Sequence, residues 1–306
     1  MCRVGGALAV HGGELASGDF LDDLWLFDPT TASWSENRDS TPGPRPSARS
    51  SHCLAYSKSA GERSQGRSAG GSAGGSSTAA AAAADGSLVI FGGLGHDADE
   101  DGDAEDVAPL NDLWVWSPAS AAGSSGGDGA AAATAASEGE GGRPRVWSLV
   151  MLNGVGPSPR SLAVLTPRPC GGDLFLFGGY GLVELPSPPP CSSDGTASDT
   201  EDDSGEEESA DIIMAYIDDL WRLDLAGGGG SGSSSGGGSS PSASSTTRWV
   251  DEEEMGSVGC SIVEGRNGHT LTWCGDTLVL FGGFVGDGFD AGLHVAKPPP
   301  PPPSLE

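Results

Sequence analysis

Four times in this chain a short apolar run is stopped by two glycines: ALAVHGG (Ala7 to Gly13), LVIFGG (Leu88 to Gly93), LFLFGG (Leu174 to Gly179) and LVLFGG (Leu278 to Gly283). Each run is strand-length, rich in β formers and cut off by its glycine pair. No other feature constrains the fold as strongly, because one such segment cannot bury its own apolar face and copies of it must share a core. Other elements recur in phase. DDLWLFD (Asp22 to Asp28), NDLWVW (Asn111 to Trp116) and DDLWRLD (Asp218 to Asp224) follow three of the runs, and a single tryptophan lies further on at Trp34, Trp147 and Trp249. PSARSSH (Pro46 to His52), PSPRSLA (Pro157 to Ala163) and VEGRNGH (Val263 to His269) align without gaps, which puts Arg49, Arg160 and Arg266 at one equivalent position.

The order R-x-x-H, apolar run with Gly-Gly, D-L-W, then tryptophan closely resembles the kelch repeat, whose unit is one four-stranded propeller blade of about 50 residues. The resemblance implies an all-β, kelch-type β-propeller of the galactose oxidase/kelch superfamily, with about three and a half blades in this chain and an incomplete ring. Within a blade, strand 1 follows the arginine, strand 2 ends in Gly-Gly, strand 3 carries D-L-W and strand 4 the lone tryptophan. Gly12, Gly13, Gly92, Gly93, Gly178, Gly179, Gly282 and Gly283 are then architectural, allowing blades to approach where a Cβ would obstruct. Trp25, Trp114 and Trp221, with Trp34, Trp147 and Trp249, are expected to pack sheet on sheet. For Arg49, Arg160 and Arg266 the expectation is a structural role on backbone carbonyls, the alternative being a polar ring lining a ligand pocket.

The repeats stand apart because biased stretches separate them. Inserts at 57–86, 94–109, 117–143, 184–210 and 226–247 are rich in Gly, Ser, Ala, Pro or acidic residues. Poor in aromatic and β-branched side chains, they cannot offset the entropy of ordering and read as disordered. They account for the wide steps between successive glycine pairs. The domain assignment is a propeller arc over 1–295 and a Pro-rich disordered tail over 296–306.

Charge narrows the function classes. With 15 basic against 43 acidic residues the net charge is −28, which excludes duplex nucleic acid as a partner for want of clustered Lys and Arg. No apolar run approaches the roughly 18 residues of a membrane span, so no membrane partner is expected. The six cysteines (Cys2, Cys53, Cys170, Cys191, Cys260, Cys274) have no zinc-like spacing and suit free thiols in a reducing compartment, giving a cytoplasmic expectation with the nucleus as alternative.

A copper site of the galactose oxidase type needs two histidines, two tyrosines and a cysteine together. Here His11, His52 and His269 fall at repeat positions, where blade residues are expected, and the tyrosines are Tyr56, Tyr180 and Tyr216. GxxxxGK[ST], HExxH and GxSxG motifs do not occur. The expectation is no enzyme, no cofactor, no metal site and no catalytic residue.

In an up-and-down blade the 2-3 and 4-1 connections emerge on one face. Those connections hold about half of the acidic residues, including Asp97, Asp99, Glu100, Asp101, Glu206, Glu207, Glu208, Glu252, Glu253 and Glu254. These are the candidate partner-binding residues, a polyanionic fringe for a basic protein or for weakly held divalent cations; the alternative is a solvated face that keeps the protein soluble. A calcium loop at Asp97 to Asp103 fails because the twelfth position is Ala108 instead of Glu.

The repeats also predict that the chain begins inside a second strand and ends just after another, with Phe289 to Ala296 a degraded third strand lacking D-L-W. A fragment of a longer protein or a partial gene model accounts for this best, and a ring of two chains, hence self-association, is the alternative if the chain is complete. The expected function is a non-catalytic protein-protein interaction scaffold of kelch repeats. The alternative is the kelch segment of a larger ubiquitin-ligase adaptor, phosphatase or methyltransferase whose activity lies outside these residues.

Overall fold

The computed structural model describes residues 1–37, 43–58, 86–96, 107–118, 145–151, 155–169, 172–185, 211–225, 248–251 and 263–298. Among them the chain is all-β: antiparallel sheets of three to five strands and no helix.

The first sheet is β1 (Cys2–Val4), β2 (Ala7–Glu14), β3 (Phe20–Asp28) and β4 (Ser33–Glu36), each paired with the next. The second contains β5 (Arg49–Ser50), β6 (Cys53–Lys58), β7 (Gly86–His96), β8 (Val107–Pro118) and β9 (Arg145–Leu149), with β5 and β6 both paired to β7. Ser51 between them has a left-handed φ of 54°, so β5 and β6 are one kinked strand. The third sheet is formed by β11 (Val164–Pro167), β12 (Leu174–Phe177), β15 (Leu220–Asp224) and β16 (Arg248–Asp251). It continues past its glycine pair as a small sheet of β10 (Arg160–Ser161), β13 (Tyr180–Glu184) and β14 (Ile212–Tyr216). The fourth is β17 (Thr270–Cys274), β18 (Thr277–Phe281) and β19 (Leu293–Ala296).

Two sequence expectations change and one is met. The chain starts with a first strand, β1, which a two-residue Gly5-Gly6 turn joins to β2 through the pair Val4 and Ala7; three residues are too short for periodicity to reveal. The third strand expected within Phe289 to Ala296 is present: β19 pairs with β18 from Phe281–Leu293 to Leu278–Ala296 without any D-L-W. The glycine pairs end strand 2 in the third and fourth sheets, where β12 stops at Phe177 and β18 at Phe281, but not in the first two. β2 and β7 run through theirs, and the register shifts between His11 and Gly13 and between Phe91 and Gly93, a bulge that re-aims the strand. Accordingly β7 and β8 reach into the stretch 94–109 from both sides, and β6, β8 and β13 end one or two residues inside their neighbouring stretches.

Each sheet packs on the next. Val4, Ala9, Leu24 and Leu26 of the first sheet meet Leu88, Ile90, Trp114, Trp116 and Trp147 of the second. The other face of the second sheet (Ala55, Val89, Phe91, Leu113) meets Leu174, Leu176, Trp221, Leu223 and Trp249 of the third. Phe177 then packs on Leu271, Leu278 and Leu280 of the fourth. The tryptophans therefore always face the preceding sheet. In the first sheet, which no other sheet precedes among the described residues, Trp25 is half-buried and Trp34 is 53% exposed, against 8% for Trp147 and 6% for Trp249. On the outer face of the fourth sheet Phe281, Leu293 and Val295 are likewise exposed.

Candidate functional site

The three in-phase arginines are the largest fully buried side chains among the described residues. A guanidinium is tolerated there only if its donors are met, and they are. Arg49 Nη1 donates to the Gly92 carbonyl at 3.0 Å and to Asp112 Oδ1 at 2.5 Å, Nη2 donates to Asp112 Oδ2 at 2.6 Å and to Ser47 Oγ at 2.9 Å, and Nε donates to the Ser47 carbonyl at 3.0 Å. Arg160 repeats the set with Gly178 O at 3.3 Å, both oxygens of Asp219, and Ser158. Arg266 donates to Gly282 O at 3.0 Å, Asp290 Oδ2 at 2.7 Å and Glu264 O at 3.0 Å. These arginines bond backbone carbonyls and, beyond that, a carboxylate the sequence reading did not single out.

That carboxylate is the Asp of D-L-W. It accepts twice over: Trp114 Nε1 donates to Asp112 Oδ2 at 2.6 Å and Trp221 Nε1 to Asp219 Oδ2 at 2.7 Å, each two residues along the strand. In β3 the same bond joins Trp25 and Asp23 at 2.6 Å. The fourth sheet does this without the motif. Asp290 takes the arginine, His294 Nε2 lies 2.9 Å from its Oδ2, and the Gly292 N–H donates to Oδ1. Arg266 foremost, then His294 and Gly292, hold the Asp290 carboxyl well below the usual carboxylate range. The signal for these partners was present in the constant Asp before Leu-Trp and the Ser two residues before Arg in PSAR and PSPR.

The second and third glycine pairs meet arginine segments on both sides. A Cβ at Gly92 (φ +60) would stand 2.6 Å from the carbonyl oxygen of Arg160 in the following sheet, and one at Gly93 would stand 2.6 Å from the Ser50 carbonyl of its own. Gly12, Gly92 and Gly178 are thus where the next sheet's arginine segment lies against its neighbour.

His11 and His52 are edge to face at 5.2 Å at the first junction, with Trp147 beside His11, while His269 packs on Phe177 at the last. Burial above all, then Arg49, pushes His11 down to about 4; burial, then His11 and Arg49, takes His52 to about 3; burial, then Arg266, takes His269 to about 4. Among the tyrosines Tyr180 and Tyr216 stack at 5.0 Å, and Tyr56 lies on β6. Burial raises the Cys2 and Cys53 thiols to about 12, which leaves them poor nucleophiles at neutral pH. Among the described residues no three His, Cys, Asp or Glu side chains form a group able to hold a metal. Two further arginines, unremarked in the sequence, lie over rings: Arg145 over Trp116 at 4.2 Å and Arg168 between Phe175 and Trp273.

Asp97, Asp99, Glu100, Asp101, Glu206, Glu207, Glu208, Glu252, Glu253 and Glu254 lie outside the described residues. The strands flanking their stretches do not. His96 pairs with Val107, Glu184 with Ile212, and β16 finishes at Asp251 opposite Trp221, all at the glycine-pair end of their sheets. The mostly neutral stretches leave from the opposite end, at Lys58–Gly86, Pro118–Arg145 and Asp224–Arg248.

No protein-family model matches this sequence, and no curated protein matches it. A solved structure of YjhT aligns over 91% of this chain and 48% of that chain, with a TM-score of 0.37 and 11% identity, a similarity too low to carry an argument. This chain spans about half the length of YjhT. No helix among the described residues is long and apolar enough to cross a membrane.

Proposed function

We propose that the chain is a kelch-type β-propeller segment that acts as a non-catalytic protein-interaction scaffold, cytoplasmic, presenting an acidic face to a basic protein. One observation carries this reading: the strands that flank all three acidic stretches open at the same, glycine-pair end of a stack stiffened by buried Arg–Asp pairs. Charge of one sign gathered on one rigid face attracts an opposite charge over long range and speeds encounter. Deleting 97–106 and 194–208 should abolish salt-sensitive capture of a lysine-rich bait. Unchanged capture refutes the reading.

A second reading is favoured by the exposed Trp34 at one end and Phe281, Leu293 and Val295 at the other. Apolar sheet faces of this kind call for cover, either from further sheets of a larger multidomain protein that carries the activity or from a second copy in a two-chain ring. The intact mass of the endogenous product against 30.6 kDa separates these.

A further inference from the structure

Beyond their glycine pairs the four sheets differ. The first turns between Glu14 and Phe20, and the fourth has the bridge Phe284–Phe289. In the second, Pro109 stands opposite Leu94 where Tyr216 stands opposite Tyr180 in the third, and its missing N–H blunts that edge. The third sheet instead extends a hairpin of five residue pairs, from Tyr180–Tyr216 to Glu184–Ile212, and its proline-free strand β14, Ile-Ile-Met-Ala-Tyr, lies at the edge of the sheet β10-β13-β14. The bonding direction along β14 follows from its two ends. Leu185 N–H donates to Asp211 O at 2.9 Å and Ile217 N–H donates to Gly179 O at 3.0 Å, so residues 211, 213, 215 and 217 bond β13, and the N–H and C=O of Ile212, Met214 and Tyr216 face outward. Gly265 of the next sheet's arginine segment lies against the Tyr216 carbonyl. Among the described residues no strand takes Ile212 or Met214 from that side. Their side chains and that of Ile213 are 60, 39 and 41% exposed in that order, and the hairpin's charged residues, Glu184 and Asp211, are both acidic, exposed and at its far end.

We propose that the outer edge of β14 is a binding site for an extended segment of a partner protein, β-branched along Ile212–Met214 and basic beside Glu184 and Asp211. The segment adds as a short strand. Its backbone exchanges bonds with Ile212 and Met214, its side chains cover the exposed apolar ones, and its lysines or arginines meet the two carboxylates. A second copy is a poor occupant, because each chain carries a net charge of −28. The inference rests on the reading of a basic protein partner above and names the edge that receives it.

The test uses the full chain and a labelled, end-capped peptide, Val-Thr-Val-Thr-Lys-Lys-Lys. Fluorescence anisotropy should show binding that weakens by about tenfold or more in the Met214→Pro chain, which loses an outward N–H while 211, 213, 215 and 217 still bond β13. Peptides N-methylated on both valines or on both threonines keep the test independent of the folding of any protein variant: one phase should abolish binding and the other should spare it. Glu184→Gln combined with Asp211→Asn should weaken the lysine peptide by about threefold or more and leave a peptide with serine for lysine unmoved. Binding unchanged by Met214→Pro, equal behaviour of the two N-methylated phases, or no binding at millimolar peptide overturns the proposal. A serine peptide that binds as tightly as the lysine one overturns the basic chemistry of the partner. A dimer of the chain alone that Met214→Pro abolishes gives the edge to a second copy and overturns the assignment to a partner. If the peptide tests fail while deleting 97–106 and 194–208 still abolishes capture of a lysine-rich bait, this edge alone is overturned and the acidic-face reading stands.

Discussion

The pair Arg160–Asp219 is unequal in its exposure, and this sets an order of costs that can be measured. The Arg160 side chain is 0% exposed and that of Asp219 is 26% exposed. Asp219→Ala leaves a guanidinium sealed in the interior with only Gly178 O and Ser158 for partners, the situation that costs about 3–5 kcal/mol. Arg160→Met is milder. Water can reach the carboxylate, Trp221 Nε1 still donates to it, and methionine replaces the buried stem. What remains is the loss of donors to two carbonyls, about 1 kcal/mol each, or about 2 kcal/mol in all. In the double variant the stranded charge disappears, so the two costs should fall short of additivity by about 1–3 kcal/mol. Urea midpoints at unchanged m, followed by tryptophan fluorescence, supply these values. Lys297→Ala, which breaks a fully solvated contact with Asp276, is the control and should not move the midpoint. An Arg160→Met cost equal to or above that of Asp219→Ala, or additivity within about 0.5 kcal/mol, would refute the reasoning.

His11 and His269 are buried and His52 is half-buried, all three neutral, with folded values near 4, 4 and 3 in that order, below the 6.5 of the unfolded chain. Their stability contribution is therefore complete above pH 6.5 and is lost as pH falls toward 4, by up to about 1.4 kcal/mol per pH unit for each. His11→Phe, the residue found in phase at Phe91, Phe177 and Phe281, should reduce the steepness of the urea midpoint against pH between 4.5 and 6 by about a third; an unaltered slope counts against burial as its cause. Gly92→Ala forces a Cβ to 2.6 Å from the Arg160 carbonyl at a left-handed φ, whereas at Gly282 the nearest atom is 3.6 Å away. Thermal melts should show Gly282→Ala losing about 1–2 kcal/mol from the backbone alone and Gly92→Ala clearly more; equal losses would mean that the junction is not closely packed.

The strands were legible because the signal is local. Leu88–Phe91 and Leu174–Phe177 announce themselves as β runs, and both are buried strands. β1 was not, since three residues hold no period, and β19 was legible only as a degraded third strand within Phe289 to Ala296, because that segment lacks the motif. The arginines were found by phase, but their shared partner was hidden in plain view: Asp112 is 63 residues from Arg49 in the chain. That Asp290 serves the same arginine position without Leu-Trp beside it could be seen only in three dimensions, because the sheet constrains where a carboxylate stands and not which residues flank it.

By itself the sequence determined the all-β class, the phase of the four repeats and the separation of acidic from neutral connections, since these follow from residue type and spacing along one chain. Only the tertiary structure decided that the Asp of D-L-W is the counter-charge of the buried arginine and that Gly12, Gly92 and Gly178 lie against the next sheet's arginine segment. The first relation joins strands within one repeat and the second joins one sheet to the next. Both depend on pairing and packing of strands, and side chains far apart in sequence become partners only once those contacts have formed.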